Sequence, residues 1–300
     1  MDFIKNLVDN YQIPKEPIEI DLVLEGGACN IGYLLGSLLL IKELENKKYF
    51  KVGRISGCSA GAIMAFYYKT DNLNLWINDY IIIKNHFKNN LDLSILKDLL
   101  VKVGENITDE LFEKIKKNQL YINYHDSDYN QILKKEYESK QDIIDAILKS
   151  SHLPYLMNSE KYNNNCLDGG FPYIFSERGN EDKKIMYLSI ANRYFLTGLL
   201  RVKNELNVYG RVIEGALEIH KFILYDKHSC MGSYVNNWGL IEYAGLRFNE
   251  FFFYLFIYSL FLLDYMRKQL YPKVKHIFIM KKIYDLIRKM AADIMMSCCI

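Results

Sequence analysis

Ile55-Ser56-Gly57-Cys58-Ser59-Ala60-Gly61-Ala62-Ile63-Met64-Ala65-Phe66 is the stretch whose reading decides the fold. Residues 51–56 read as a strand and residues 62–66 as the opening of a helix, so Gly57-Cys58-Ser59-Ala60-Gly61 falls on the turn between them. A serine in that position projects its hydroxyl from the top of a sheet, and the glycines two residues to either side leave room for a sharp turn. The hydroxyl also sits at a helix N-terminus, where the dipole and the free N–H groups favour negative charge. A nucleophile needs both features. The five letters alone are a weak signal; their place between strand and helix makes Ser59 a candidate nucleophile.

Upstream, residues 18–24 alternate and then become apolar, as a strand entering a sheet does. A glycine turn follows at Glu25-Gly26-Gly27-Ala28-Cys29-Asn30-Ile31-Gly32, then a helix over residues 33–45 that is apolar on most faces. The order strand, turn, helix, strand, turn, helix predicts an α/β fold with a mostly parallel sheet covered by helices. Downstream, residues 73–117 read as mainly helical, with a helix start at Thr108-Asp109-Glu110. Residues 120–124 read as a strand and 142–149 as a helix. Ser150-Ser151-His152-Leu153-Pro154 ends that helix, because Pro154 pushes Leu153 out of the α region. An Asn163-Asn164-Asn165 turn leads through Cys166-Leu167 to Asp168-Gly169-Gly170, and a further strand is expected over 184–191. Beyond about residue 194 strand signals fade and helical runs dominate, which divides the chain into a domain over 1–194 and a helical region over 195–300.

Half of the 300 residues are hydrophobic, 14% are aromatic and the net charge is +2, which excludes a disordered chain and permits a large core. The six cysteines form no CxxC pair and no zinc spacing, so buried small residues are expected. The first residues carry no secretory pattern, and a cytoplasmic, reducing location is expected. Charge is uneven. Between residues 265 and 290 eight basic residues face the single acid Asp285, leaving the rest of the chain net acidic. Such a segment suits an anionic membrane surface; no recognisable nucleic-acid module accompanies it, and no nucleic acid is expected as a partner. Residues 251–263, Phe-Phe-Phe-Tyr-Leu-Phe-Ile-Tyr-Ser-Leu-Phe-Leu-Leu, are apolar on every side. The leading reading is a buried core helix, with insertion at a membrane interface next. Thirteen residues reach about 20 Å against a hydrocarbon core of about 30 Å, so a spanning helix is not expected there. Ile279, Ile283, Ile287, Met290 and Ile294 recur at helical spacing among lysines, as in an amphipathic surface helix.

A serine nucleophile needs a base and an oxyanion hole. The turn at Gly26-Gly27-Ala28 suits the second, because small residues bring backbone N–H groups close to a substrate oxygen. None of the six histidines lies in a recognisable motif. Asp168 does: two glycines after it permit a tight turn that fixes its carboxylate. The three motifs together resemble the patatin-like phospholipases, lipid acyl hydrolases that use a Ser–Asp dyad without histidine. The Ser150-Ser151-His152-Leu153-Pro154 stretch is similar to the family's Ser-Ser-x-x-Pro, and the match extends over about residues 18–190. The resemblance implies a three-layer α/β/α domain, Ser59 as nucleophile, Asp168 as base, and N–H groups of Gly26, Gly27 and Ala28 as the oxyanion hole. It implies an acyl-lipid substrate, phospholipase A-type cleavage, peripheral attachment to a membrane, and neither metal nor cofactor. The family loop commonly reads Gly-Gly-Gly-x-Arg/Lys-Gly; here Ala28, Asn30 and Ile31 depart from it. An acyltransferase or a histidine-dependent esterase using His152 or His228 is the alternative from the residues. A catalytically inactive lipid-binding protein is the other.

Overall fold

The computed structural model describes residues 2–27, 30–90, 92–155, 157–158, 160–175, 183–190, 208–225, 229–269, 273, 279, 281–283 and 286. In chain order the elements are α1 (Asp2–Val8), β1 (Ile18–Leu24), α2 (Ile31–Asn46), β2 (Phe50–Gly57), α3 (Ala60–Lys69), α4 (Trp76–Asn90), α5 (Ile95–Glu105), α6 (Asp109–Ile115), β3 (Lys117–Asp126), β4 (Gln131–Glu136), α7 (Lys140–Ser150), β5 (Cys166–Leu167), β6 (Lys184–Leu188), α8 (Val208–Tyr225), β7 (Gly232–Tyr234) and α9 (Leu240–Gln269). They build one seven-stranded sheet of order β4-β3-β2-β1-β6-β7, with β5 pairing β3 off that path. The four central strands β3, β2, β1 and β6 run parallel, while β4, β5 and β7 pair antiparallel at the margins. The predicted mostly parallel sheet flanked by helices is the observed one.

The sheet separates two apolar clusters by the period-two alternation of its strands. Ile20, Leu22 and Leu24 of β1, Ile55 of β2, and Leu120 and Ile122 of β3 face the larger cluster, with Leu34, Leu38 and Ile41 of α2 and Phe66 of α3. Val23 of β1, Tyr121 of β3 and Tyr187 of β6 face the smaller one, with Phe175 and Val235. Asp21 lies on the Val23 face: fully buried in β1, it pairs with Arg54 (Nη2 to Oδ2, 2.6 Å) and Lys183 (Nζ to Oδ1, 2.9 Å). Partnering of this kind lets a strand carry a buried acid. Helix α2 is buried on nearly every side, and α8 crosses it where Gly36 and Gly215 meet; a Cβ on either would collide with the partner helix backbone at Val212 or Tyr33. Thr108 caps α6 by accepting from the Leu111 N–H at 3.2 Å, at the helix start the sequence marks.

Three elements differ from expectation. β4 and β7 had no strand signal: β4 is the half-polar Gln-Ile-Leu-Lys-Lys-Glu, and β7 has only three residues. Residues 251–263 are not a buried core helix. They lie inside α9, whose 30 residues extend to about 45 Å because nothing in the flanking sequence breaks the helix. Of the described side chains in that segment only Ile257 is buried, and Phe251 and Phe252 are 60% and 58% exposed. The sequence boundary near residue 194, and Ile287, Met290 and Ile294 of the expected amphipathic helix, lie outside the described residues.

Candidate active site

Ser59 is the second of the two residues between β2 and α3, with φ 50° and ψ −124°. Such a backbone costs an L-residue about 1–3 kcal/mol and persists only where the surroundings over-determine it. Here they do. The Ser59 N–H donates to the Ser150 hydroxyl at 3.0 Å, and that hydroxyl donates to the Asn123 carbonyl at 2.7 Å. The Gly61 N–H donates to the Cys58 carbonyl at 2.7 Å, closing the turn. Gly61 itself is pressed on the end of β1, where a Cβ would collide with the Leu24 carbonyl oxygen. Gly26 lies against Ser59, since a Cβ there would come within 3.0 Å of the Ser59 Cβ. The glycine turn after β1 and the serine turn after β2 therefore share one rim at the carboxyl ends of parallel strands, the usual site position in such sheets.

The glycine turn is tied from below. The Glu25 carboxylate accepts from the Ser189 hydroxyl at 2.6 Å and the Ile190 N–H at 3.0 Å. Asn30, which stands where the family pattern has a basic residue, donates its side-chain amide to the Ile190 carbonyl at 3.3 Å. An amide thus supplies anchorage without charge. The Gly26 N–H is directed at the Cys58 sulfur. Ala28, expected in the oxyanion hole, lies outside the described residues, as do Cys29 and His228.

Asp168 follows β5 and is 1% exposed. Its backbone N–H donates to the His152 carbonyl at 3.1 Å and its carbonyl accepts from His125 Nδ1 at 2.9 Å. The next N–H, of Gly169, donates to the Ser150 carbonyl at 2.8 Å, and the Asn123 side-chain amide holds the Gly169 carbonyl at 3.0 Å. The carboxyl group is half satisfied: Oδ1 accepts from the Gly170 N–H at 2.8 Å, whereas Oδ2 is buried without a partner at ordinary hydrogen-bond length. Burial pushes its pKa up to about 7, against the opposing pull of the Gly170 N–H and the Ser59 hydroxyl. The Ser59 contact is therefore a long one, as catalytic hydrogen bonds often are before substrate binds. A carboxyl poised near neutrality beside a serine on a strained turn makes Asp168 and Ser59 a candidate base and nucleophile. Phe253 of α9 packs on Gly170, where a Cβ would come within 2.6 Å of the ring, and so covers the aspartate turn from solvent.

The Ser-Ser-x-x-Pro stretch now has a physical role. Ser150 joins the two candidate residues, holding Ser59 through its hydroxyl and Gly169 through its carbonyl. Ser151 only returns its hydroxyl to Ile147 of its own helix at 2.8 Å. Two buried histidines lie nearby. The His152 ring interacts with the backbone of Glu160 and Lys161, and burial lowers its pKa. His125 was indistinguishable in sequence from the other histidines; only the fold brings it to Asp168. Cys58, beside Ser59, is fully buried, and burial raises its thiol well above the ordinary range, so it stays protonated. Among the described residues no group of three acidic, histidine or cysteine side chains forms a metal site.

A family model, patatin-like phospholipase, matches residues 22–173, from β1 to just beyond the aspartate turn. No curated protein matches the chain.

Proposed function

Because the chain belongs to the patatin-like phospholipase family, whose activity is hydrolysis of lipid esters, we propose that it is a phospholipase A-type enzyme working through a Ser59–Asp168 dyad. In this reading Ser59 Oγ attacks the ester carbonyl and Asp168 takes its proton. The tetrahedral oxyanion collapses, the alcohol leaves with the proton from Asp168, and an acyl-serine remains. Asp168 then removes a proton from water, which attacks the acyl group; the acyl–Oγ bond breaks, Ser59 Oγ leaves with the proton from Asp168, and the fatty acid is freed. Backbone N–H groups of Gly27 and Ala28 receive the oxyanion, aided by the N-termini of α2 and α3; that of Gly26, directed at the Cys58 sulfur, does not.

The observation that carries the reading is the Asp168 carboxyl: buried, with Oδ2 unpartnered and its pKa raised to about 7 beside Ser59. It favours the dyad over an esterase using His125, whose ring nitrogens meet the Asp168 carbonyl and the Tyr254 hydroxyl; the His152 ring meets the backbone of Glu160 and Lys161, with its Nε2 buried and unpartnered. The acyl-lipid substrate comes to a peripheral enzyme. One helix among the described residues, Leu240–Met266, is long and apolar enough to cross a membrane, with mean hydropathy 1.4. Its attachments along one side support a surface position instead. Tyr155 donates to Asp264 at 3.0 Å, and the rings of Tyr129 and Tyr258 stack at 5.5 Å. The opposite side presents Phe252, Leu255 and Leu262 to solvent, and Lys273, Lys281 and Lys282 follow. Apolar rings with lysines beyond them suit an anionic bilayer surface.

The test is fatty-acid release from vesicles of defined phospholipids and from neutral lipids. Wild type should release acid, and Ser59→Ala and Asp168→Asn should each fall by about 10³-fold or more. Undiminished release by Ser59→Ala would refute the proposal.

A further inference from the structure

His125 is a buried imidazole for which the dyad chemistry has no use. It lies on β3 at 1% exposure, enclosed by the rings of Phe171, Phe253 and Tyr254. Its two nitrogens have different partners. Nδ1 is 2.9 Å from the Asp168 backbone carbonyl, which can only accept, so Nδ1 carries the hydrogen. Burial lowers the pKa of the ring and keeps it neutral, opposed by the Asp168 carbonyl and by the charges that face it, Glu250 on α9 and Asp126 on β3. Neutral Nε2 is then an acceptor, and the Tyr254 hydroxyl, 3.3 Å away, donates to it. The tautomer follows from these partners.

A continuous chain therefore runs from Tyr254 on the exposed helix, through one imidazole, to the backbone of the dyad aspartate. We propose that His125 is a positioning residue for Asp168, and that Tyr254 makes the seating of α9 part of the same device. The proposal rests on the dyad reading and deepens it. The carboxyl has one hydrogen bond of its own, from Gly170, so its direction depends on how the 168–170 backbone is held. Gly170 has φ +65°, a conformation open to glycine, and the turn before it is held by the bonds of Asp168 and Gly169 to His152, Ser150 and Asn123 as well as by His125. His125 is the side-chain anchor at the Asp168 carbonyl, and a displacement of about 1 Å at a reacting group costs on the order of 10²-fold in rate. Movement of α9 on a lipid surface would reach the base by this route.

Two amide replacements separate positioning from simple packing. The amide nitrogen of asparagine lies where Nδ1 lies, so His125→Asn keeps the bond to Asp168 and loses Tyr254. The amide end of glutamine reaches the place of Nε2, where its oxygen accepts from the Tyr254 hydroxyl, so His125→Gln keeps Tyr254 and loses the bond to Asp168. Each variant, with His125→Leu and Tyr254→Phe, is assayed on a water-soluble short-chain nitrophenyl ester, after far-UV circular dichroism establishes folding. His125→Leu and His125→Gln should lose about 10- to 100-fold in kcat with KM within about twofold. Their acidic pH limb should fall below pH 7 as water reaches the loosened carboxyl. His125→Asn, which loses only the Tyr254 bond, should match Tyr254→Phe, with a loss of about threefold to tenfold and the original limb. Equal rates for the Asn and Gln variants, or a wild-type rate and limb in His125→Leu, would overturn the proposal. If His125→Leu does not fold, the Asn and Gln pair decides. Ser59→Ala in the same assay keeps the two readings apart: its inactivity upholds the dyad whatever His125 does, and its activity removes the dyad itself.

Discussion

Replacing Asp168 by asparagine should make the protein more stable at alkaline pH while abolishing turnover. Asp168 is 1% exposed and its pKa rises from an ordinary 3.8 to about 7 in the folded protein. The groups that act on it are the Gly170 N–H and the Ser59 hydroxyl, with the protonated Cys58 thiol adjacent. Because the folded value is the higher one, the native state holds more protons than the unfolded chain between about pH 4 and pH 7. Stability is full below pH 4 and is lost as pH rises through 7. At about 1.4 kcal/mol for each tenfold change in the ionisation constant, the loss approaches about 4 kcal/mol at pH 8. Relaxation around the charge reduces that to an expected difference of about 2–4 kcal/mol. Asparagine keeps the shape and still accepts from the Gly170 N–H, but has no charge to bury. Urea unfolding of wild type and Asp168→Asn at pH 5 and pH 8, followed by circular dichroism, reads the difference directly. The variant should unfold at higher urea at pH 8, and its advantage should shrink at pH 5. A variant less stable than wild type at pH 8, or an advantage independent of pH, would refute the reasoning.

Two further outcomes follow from the same geometry. Ser150→Ala removes the acceptor of the Ser59 N–H and a donor to the Asn123 carbonyl, both buried, and should cost about 2–4 kcal/mol with a large fall in kcat. Ser151→Ala, one residue on, loses only a bond within its own helix and should cost less than about 1 kcal/mol; equal effects in urea melts would contradict the linking role of Ser150. Phe252→Ser with Leu255→Ser, on the outer face of α9, should weaken sedimentation with anionic vesicles by about 10-fold or more while hydrolysis of a soluble ester stays at the wild-type rate. Unchanged sedimentation would place the membrane contact elsewhere.

The parts legible in the sequence were those whose chemistry is local. The strands β1 and β2 show their alternation, and the Gly57–Gly61 and Asp168–Gly170 turns need glycine for reasons visible in five or three letters. The contacts of Gly61 with Leu24 and of Gly26 with Ser59 then bring turns from different strands to one rim. What escaped depends on pairing at a distance. β4 is recognisable only beside β3, since an edge strand rich in lysine and glutamate has no apolar run; such charge protects an edge from further pairing. The role of Ser150 needs the approach of α7 to the elbow, and that of His125 needs both the aspartate turn and α9. The reading of residues 251–263 as a core helix failed because an all-round apolar helix fits a core and a surface helix equally well by pattern. The difference lies in what surrounds it, and here one side of α9 meets Gly170 and His125 while the other meets solvent.

The measurement that tests the dyad most directly is the rate at which a long-chain fluorophosphonate labels the protein as a function of pH, with the modified peptide identified by mass spectrometry. The account predicts one adduct, on Ser59, with a labelling rate that rises with pH through about 7 as Asp168 ionises. Labelling of Asp168→Asn should be slowed by about 10²-fold or more and should lose that pH dependence. An adduct on another residue, or labelling of Asp168→Asn at the wild-type rate and with the wild-type pH profile, would contradict it.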